Sequence, residues 1–129
     1  IRNVNSDRSA RAFSVDFAAG TPISGVGFHD VDSHSGEPYS TTDWTSAFTP
    51  GTGTVAWSTS TFAGNPNANA LRWSTMYSFW FDADAPPWSA VHSLELFKPG
   101  TPTSVGFVFS LFSDGFASHN LTAWSSSTP

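Results

Sequence analysis

The stretch Ser104–Phe112, which reads SVGFVFSLF, decides the fold class because every second position from Val105 to Leu111 is a large apolar residue. Side chains on a β-strand alternate between its two faces, so Val105, Phe107 and Phe109 share one face. A helix would instead bring together residues three and four positions apart. The stretch therefore predicts a β-strand with one apolar face.

The same alternation recurs along the chain, with turn sequences between the repeats. The other candidate strands are Ile1–Val4, Ala12–Phe17, Ile23–Phe28, Thr54–Phe62, Ser74–Asp82, Ala90–Phe97 and Leu121–Trp124. Ten glycines and nine prolines punctuate these strands, and strong helix formers such as Glu, Lys and Gln are scarce. We predict an all-β fold without long helices. It is a two-sheet antiparallel β-sandwich, Ig-like or jelly-roll-like, of about seven or eight strands.

The apolar stripes of these strands predict the hydrophobic core. The predicted core residues are Phe13, Val15, Phe17, Trp57, Tyr77, Phe79, Phe81, Leu94, Leu96, Phe107, Phe109 and Leu111. Trp73 stands beside apolar alternation, so we expect it to be buried as well. Residues 29–53 show no clear alternation, and a stretch of that length is expected to be functional or to contain regular structure that the pattern misses.

Length and charge limit the classes of protein. A chain of 129 residues is one domain, 1–129, in which 125–129 form a Ser/Thr-rich tail. The net charge of −5, with five Lys and Arg in all, disfavours nucleic acid, and no apolar run reaches a membrane span. Low charge with abundant hydroxyls favours a secreted, cell-surface location. Asn120 is the candidate N-glycosylation acceptor, in the sequon Asn120-Leu121-Thr122, if the source organism glycosylates.

Polar residues crowd the segment 28–39. Asp30, Asp32 and Glu37 could supply the oxygen ligands that calcium prefers, although their spacing departs from the helical calcium loop. Zinc through His29 and His34 would need a third ligand that the sequence does not indicate. The alternative is a structural loop whose carboxylates cap backbone amides. Apart from calcium, we expect no cofactor.

Exposed aromatic rings indicate a second kind of site. Tyr39, Trp44 and Trp88 lie in predicted loops, and rings of this kind stack on the C–H faces of sugars. These three residues are the candidates for carbohydrate binding. Asp82 and Asp84 are a pair of carboxylates, as in a hydrolase, but a strand that ends in a turn accounts for them equally well.

The two terminal segments favour assembly. Ile1–Val4 and Ser104–Trp124 could pair with other copies of the chain, and Asp114 is the only formal charge in the second segment that would discourage such pairing. The candidate contact residues are Ile1, Val4, Phe112, Phe116 and Trp124. We therefore expect a non-enzymatic, extracellular structural domain, a homo-oligomer or a subunit of a filament or surface layer. The alternatives are a carbohydrate-binding module and, third, a hydrolase.

Several longer segments resemble a known group of proteins. These segments are Gly27–Asp32 (GFHDVD), Asn65–Trp73 (NPNANALRW) and Phe81–Pro87 (FDADAPP). They resemble secreted proteins of unassigned function from planctomycete-type bacteria, over roughly residues 1–105. The resemblance implies an exported, surface-associated β domain whose precursor carries a signal peptide. It implies no activity and no site residues.

Overall fold

The computed structural model describes residues 1–32, 36–85 and 91–108, and these form seven β-strands. The strands are β1 (Ala10–Asp16), β2 (Ile23–His29), β3 (Thr45–Thr49), β4 (Thr54–Ser58), β5 (Ser78–Ala83), β6 (Val91–Leu96) and β7 (Ser104–Val108). One sheet has the order β3-β4-β1-β6-β7, the other pairs β2 with β5, and every pairing is antiparallel. The prediction of an all-β, two-sheet sandwich is confirmed. No helix in the described part of the chain could span a membrane.

The stretch 29–53 contains β3, a strand that alternation does not reveal. β3 pairs with β4 from Thr45 opposite Ser58 to Thr49 opposite Thr54. Its one large apolar residue, Phe48, is half-buried, and its other residues are exposed. The connecting turn specifies the strand: Gly53 has a φ of 71° and donates its N–H to the Thr49 carbonyl at 2.9 Å.

Aromatic rings from both sheets meet in the core. The Phe13 ring of β1 lies 5.5 Å from the Trp57 ring of β4 and 5.0 Å from the Phe79 ring of β5, between ring centroids. Trp57 is fully buried, and its Nε1 donates to the Gly27 carbonyl of β2 at 3.0 Å. These contacts hold the two sheets together, and each ring of this size buries about 150–250 Å².

Most of the predicted core is confirmed. Phe13, Val15, Trp57 and Tyr77 are buried, and Phe17, Phe79, Phe81, Leu94 and Phe107 are half-buried against them. Leu96 is half-buried outside this cluster, and Phe109 and Leu111 lie outside the described residues.

Two tryptophans have the opposite of their predicted burial. Trp73, expected in the core, is 69% exposed because a turn begins there, with Ser74 in the left-handed region. Trp44, expected on an exposed loop, is 4% exposed. It directly precedes β3, and its ring stacks on Phe28 at a centroid distance of 5.6 Å. The prediction of Trp44 as an exposed sugar-stacking ring is therefore wrong.

The first residues are paired within their own chain. The Tyr77 N–H donates to the Ile1 carbonyl at 2.9 Å, and the Asn3 N–H donates to the Thr75 carbonyl at 3.0 Å. One side of Ile1–Val4 is therefore paired within the chain, and contact of this segment with another copy stays a prediction. The Val4 side chain remains 67% exposed.

Candidate functional site

A buried asparagine organises the polar part of the interior. The Asn69 side-chain Nδ2 donates to the Asp30 carboxylate and to the Thr42 carbonyl. The Tyr77 hydroxyl donates to Asn69 Oδ1 at 2.5 Å, and Trp44 Nε1 donates to the Asn69 backbone carbonyl at 2.5 Å. Burial raises the pKa of Tyr77, so its phenol stays protonated and remains a donor. Asn69 thereby ties the segments around residues 30 and 42 to the core.

Three carboxylates converge beside Asn69. Ligand oxygens of Asp30, Asp32 and Asp43 all lie within 4.8 Å of one another, with Asp30 buried and the other two exposed. Burial raises the pKa of Asp30, and the charges of Asp43 and Asp32 raise it further, against the hydrogen bond from Asn69. An oxygen-only set of this kind is what a hard cation such as calcium prefers.

The predicted calcium ligands are divided between two places. Asp30 and Asp32 lie together, but their third partner is Asp43, and Glu37 lines a separate pocket near Arg72. The sequence gives one indirect signal for Asp43, which is its position next to Trp44. Burial of that ring carries Asp43 towards Asp30.

The separate pocket is built on a buried arginine. Arg72 is 7% exposed, and its guanidinium lies 3.9 Å from the Tyr39 ring centroid and 4.7 Å from that of Phe97. Its Nη2 donates to the carbonyls of Pro66 at 3.0 Å and Ala68 at 2.8 Å. Within residues 1–32, 36–85 and 91–108, no carboxylate lies at ion-pair distance from Arg72. Arg72 is thus a fixed positive charge held by rings and carbonyls.

The rim of this pocket carries charges of both signs and one open ring. The cavity has a volume of about 230 Å³, and Trp73 and Glu37 line it together with an ion pair in which Lys98 Nζ lies 2.7 Å from Asp7 Oδ1. Trp73 Nε1 donates to the Val4 carbonyl at 2.8 Å. That bond holds the ring in place, although most of its surface meets solvent.

A second exposed tryptophan lies on the two-stranded sheet. Trp80 of β5 is 51% exposed and packs on Gly27 of β2, where any side chain would overlap the indole. Asp82 covers Gly25 in the same way. The outer face of this sheet therefore presents one aromatic ring and one carboxylate over bare glycine backbone. Asp84, the other member of the predicted acidic pair, is exposed after the end of β5.

Both edge strands of the five-stranded sheet are free of charge. β3 reads TSAFT and β7 reads SVGFV. In the described part of the chain, each of them pairs with one neighbouring strand. On β7, Val105 is 45% exposed and Val108 is 57% exposed. Natural edge strands usually carry a lysine, a proline or a bulge that discourages pairing.

The remaining candidate residues lie outside the described residues. These are His34, Trp88, Phe112, Phe116, Asn120 and Trp124. Comparison with protein-family models, with curated proteins and with solved structures finds no match. The resemblance to exported planctomycete-type proteins therefore stays a prediction.

Proposed function

We propose that this chain is a non-enzymatic, exported structural domain that associates with copies of itself through the edges of its five-stranded sheet. The observation that carries the proposal is the charge-free sequence of both edge strands. The exposed valines of β7 add apolar surface that pairing with another copy would bury. β7 is therefore the first contact, and the less apolar β3 is the second.

Strand directions decide how copies meet. Four successive antiparallel pairings separate β3 from β7, so the two edge strands run in the same direction. Head-to-tail contact of β7 with β3 would then be parallel, which is slightly less stable per residue than antiparallel pairing. If both copies keep the two-stranded sheet on the same side, antiparallel continuation requires β7 to meet β7 of the next copy across a two-fold axis. This contact alone gives a closed dimer, and a further β3-to-β3 contact extends dimers into a filament.

Cysteine cross-linking tests this arrangement, because the chain has no cysteine of its own. Single Ser104→Cys, Val105→Cys and Gly106→Cys variants place one thiol along β7. Paired antiparallel strands hold Cα atoms about 4.5–5.5 Å apart, which a disulfide can bridge. We expect at least one variant to form covalent dimers under mild oxidation. Ser60→Cys, at an exposed position outside the strands, is the matched control.

Mixing experiments separate the two geometries. A β7 cysteine variant with an added mass tag is mixed with Ala47→Cys, in the middle of β3. Like-edge contact predicts β7–β7 dimers, whereas a dominant β7–β3 product would overturn that arrangement. Dimer yields no higher than those of Ser60→Cys at all three β7 positions and at Ala47→Cys would overturn edge association itself.

Glycan binding is the second candidate function. It is favoured by the two exposed tryptophans, Trp73 at 69% and Trp80 at 51%, in a protein whose other described tryptophans, Trp44 and Trp57, are buried. Exposed indoles with carboxylates nearby suit sugars, which offer apolar C–H faces and hydroxyl groups together.

A further inference from the structure

The pocket on Arg72 has the features of a preformed ligand site. The guanidinium is buried between two rings, and its two carbonyl acceptors fix its orientation. Its Nε is buried and has no hydrogen-bond partner among the described residues. An incompletely satisfied buried cation is costly to maintain. A ligand oxygen that accepts a hydrogen bond from this Nε would remove part of that cost.

The charged side chains that line the pocket have no net charge. Asp7 and Glu37 contribute two carboxylates, and Arg72 and Lys98 contribute two cations. An anionic ligand would face the carboxylates, and a cationic ligand would face the guanidinium and the ammonium group. A neutral ligand with hydroxyl groups is accepted by all four, because a hydroxyl donates to a carboxylate and accepts from a cation.

The aromatic part of the pocket limits the class of ligand further. The open Trp73 ring offers an apolar surface beside these polar groups, and its hydrogen bond to Val4 limits the entropy that ordering it would cost. The cavity of about 230 Å³ is smaller than the roughly 300–1,000 Å³ of drug-sized sites. It therefore suits one small ring with hydroxyl groups on its edge and C–H groups on its face.

We propose that this pocket binds a single neutral sugar ring, either a free monosaccharide or the terminal unit of a glycan. Trp73 stacks on the sugar face, and Asp7, Glu37 and Lys98 bind its hydroxyls. This proposal gives glycan binding, the second candidate function, a defined site, and it rests on that function. It is independent of edge association, because no β7 residue lines the pocket.

Titration of the full chain with a panel of neutral hexoses, pentoses, N-acetylhexosamines and their disaccharides tests the site. The variants are Trp73→Ala and Glu37→Gln, and Trp80→Ala, which removes the other exposed tryptophan, separates this pocket from the two-stranded sheet as the place of binding. Calorimetry should show binding of at least one sugar. We expect Trp73→Ala to weaken it about tenfold or more, Glu37→Gln to weaken it less, and Trp80→Ala to leave it within about twofold.

The outcomes distinguish the site from the function. Loss of sugar binding in Trp80→Ala but not in Trp73→Ala would contradict binding in this pocket. The glycan site would then be on the two-stranded sheet, where Trp80 lies. Failure of the whole panel to bind would overturn both. A hexuronic acid is titrated beside its neutral hexose, and a preference for the acid would overturn the charge argument. Circular dichroism identical to that of the wild type shows that each variant is folded.

Discussion

The hydrogen bond between Tyr77 and Asn69 should contribute measurably to stability. Tyr77→Phe keeps the ring, which packs 5.7 Å from Trp44 between centroids. It removes the hydroxyl whose proton Asn69 Oδ1, at 2.5 Å, shares with the Ala70 carbonyl, at 2.9 Å. Both residues are fully buried, so water has no access to replace the lost hydroxyl. The loss of one partner in a buried hydrogen bond costs about 1–3 kcal/mol. We expect a decrease of about 2 kcal/mol in the free energy of unfolding.

Equilibrium unfolding in urea, followed by tryptophan fluorescence, measures this change. With an m-value of about 2 kcal/mol/M, the midpoint should fall by about 1 M while m stays constant. Thr45→Val is the control: it also removes a hydroxyl, but from an exposed hydrogen bond to the Ser58 carbonyl at 3.2 Å. Its effect should stay within about 0.5 kcal/mol. A Tyr77→Phe effect as small as that of the control would refute the assignment of Asn69 as an organising residue.

Three further changes test the core and the acidic cluster. Phe79→Ala removes a ring that contacts Phe13 and rings of both sheets, and should cost about 3–5 kcal/mol in urea unfolding; a loss below about 1 kcal/mol would contradict the core assignment. Millimolar calcium should raise the melting temperature of the wild type but not of Asp43→Asn. A wild-type melting temperature that is the same in calcium and in chelator would contradict a cation site at these carboxylates. The raised pKa of Asp30 means that the folded state binds its proton more tightly. Wild-type stability should therefore fall relative to Asp30→Asn as the pH rises from about 3.8 through the raised value, and a pH-independent difference would contradict this.

The strands with large rings could be predicted from the sequence because their buried residues occupy every second position. Phe13 and Phe107 lie in strands that alternate apolar and polar residues, and both pack in the core. β3 could not be predicted in this way, because exposed residues with small side chains make up four of its five positions. Its pairing is fixed by the turn and by β4, and neither leaves an alternating pattern in the residues of β3 itself.

The candidate sites were less predictable for a related reason. Whether Trp44 or Trp73 is buried depends on the next element of the chain, which is a strand after Trp44 and a turn at Trp73. The pocket on Arg72 draws its residues from segments near positions 7, 37, 72 and 98. Only the fold brings these segments together. Tyr39, Asp30 and Asp32 could be chosen as candidates from the sequence because an aromatic ring or a carboxylate suggests a kind of ligand. The residues that surround them could not.

Sedimentation velocity of the full chain, from micromolar to millimolar concentration, tests edge association most directly. We expect the mass to rise with concentration from the 13.8 kDa monomer to the dimer and beyond. Val105→Lys, which places a charge on β7, should shift the equilibrium back towards monomer, while Ser60→Lys should leave it unchanged. A single 13.8 kDa species at every concentration would contradict the proposal.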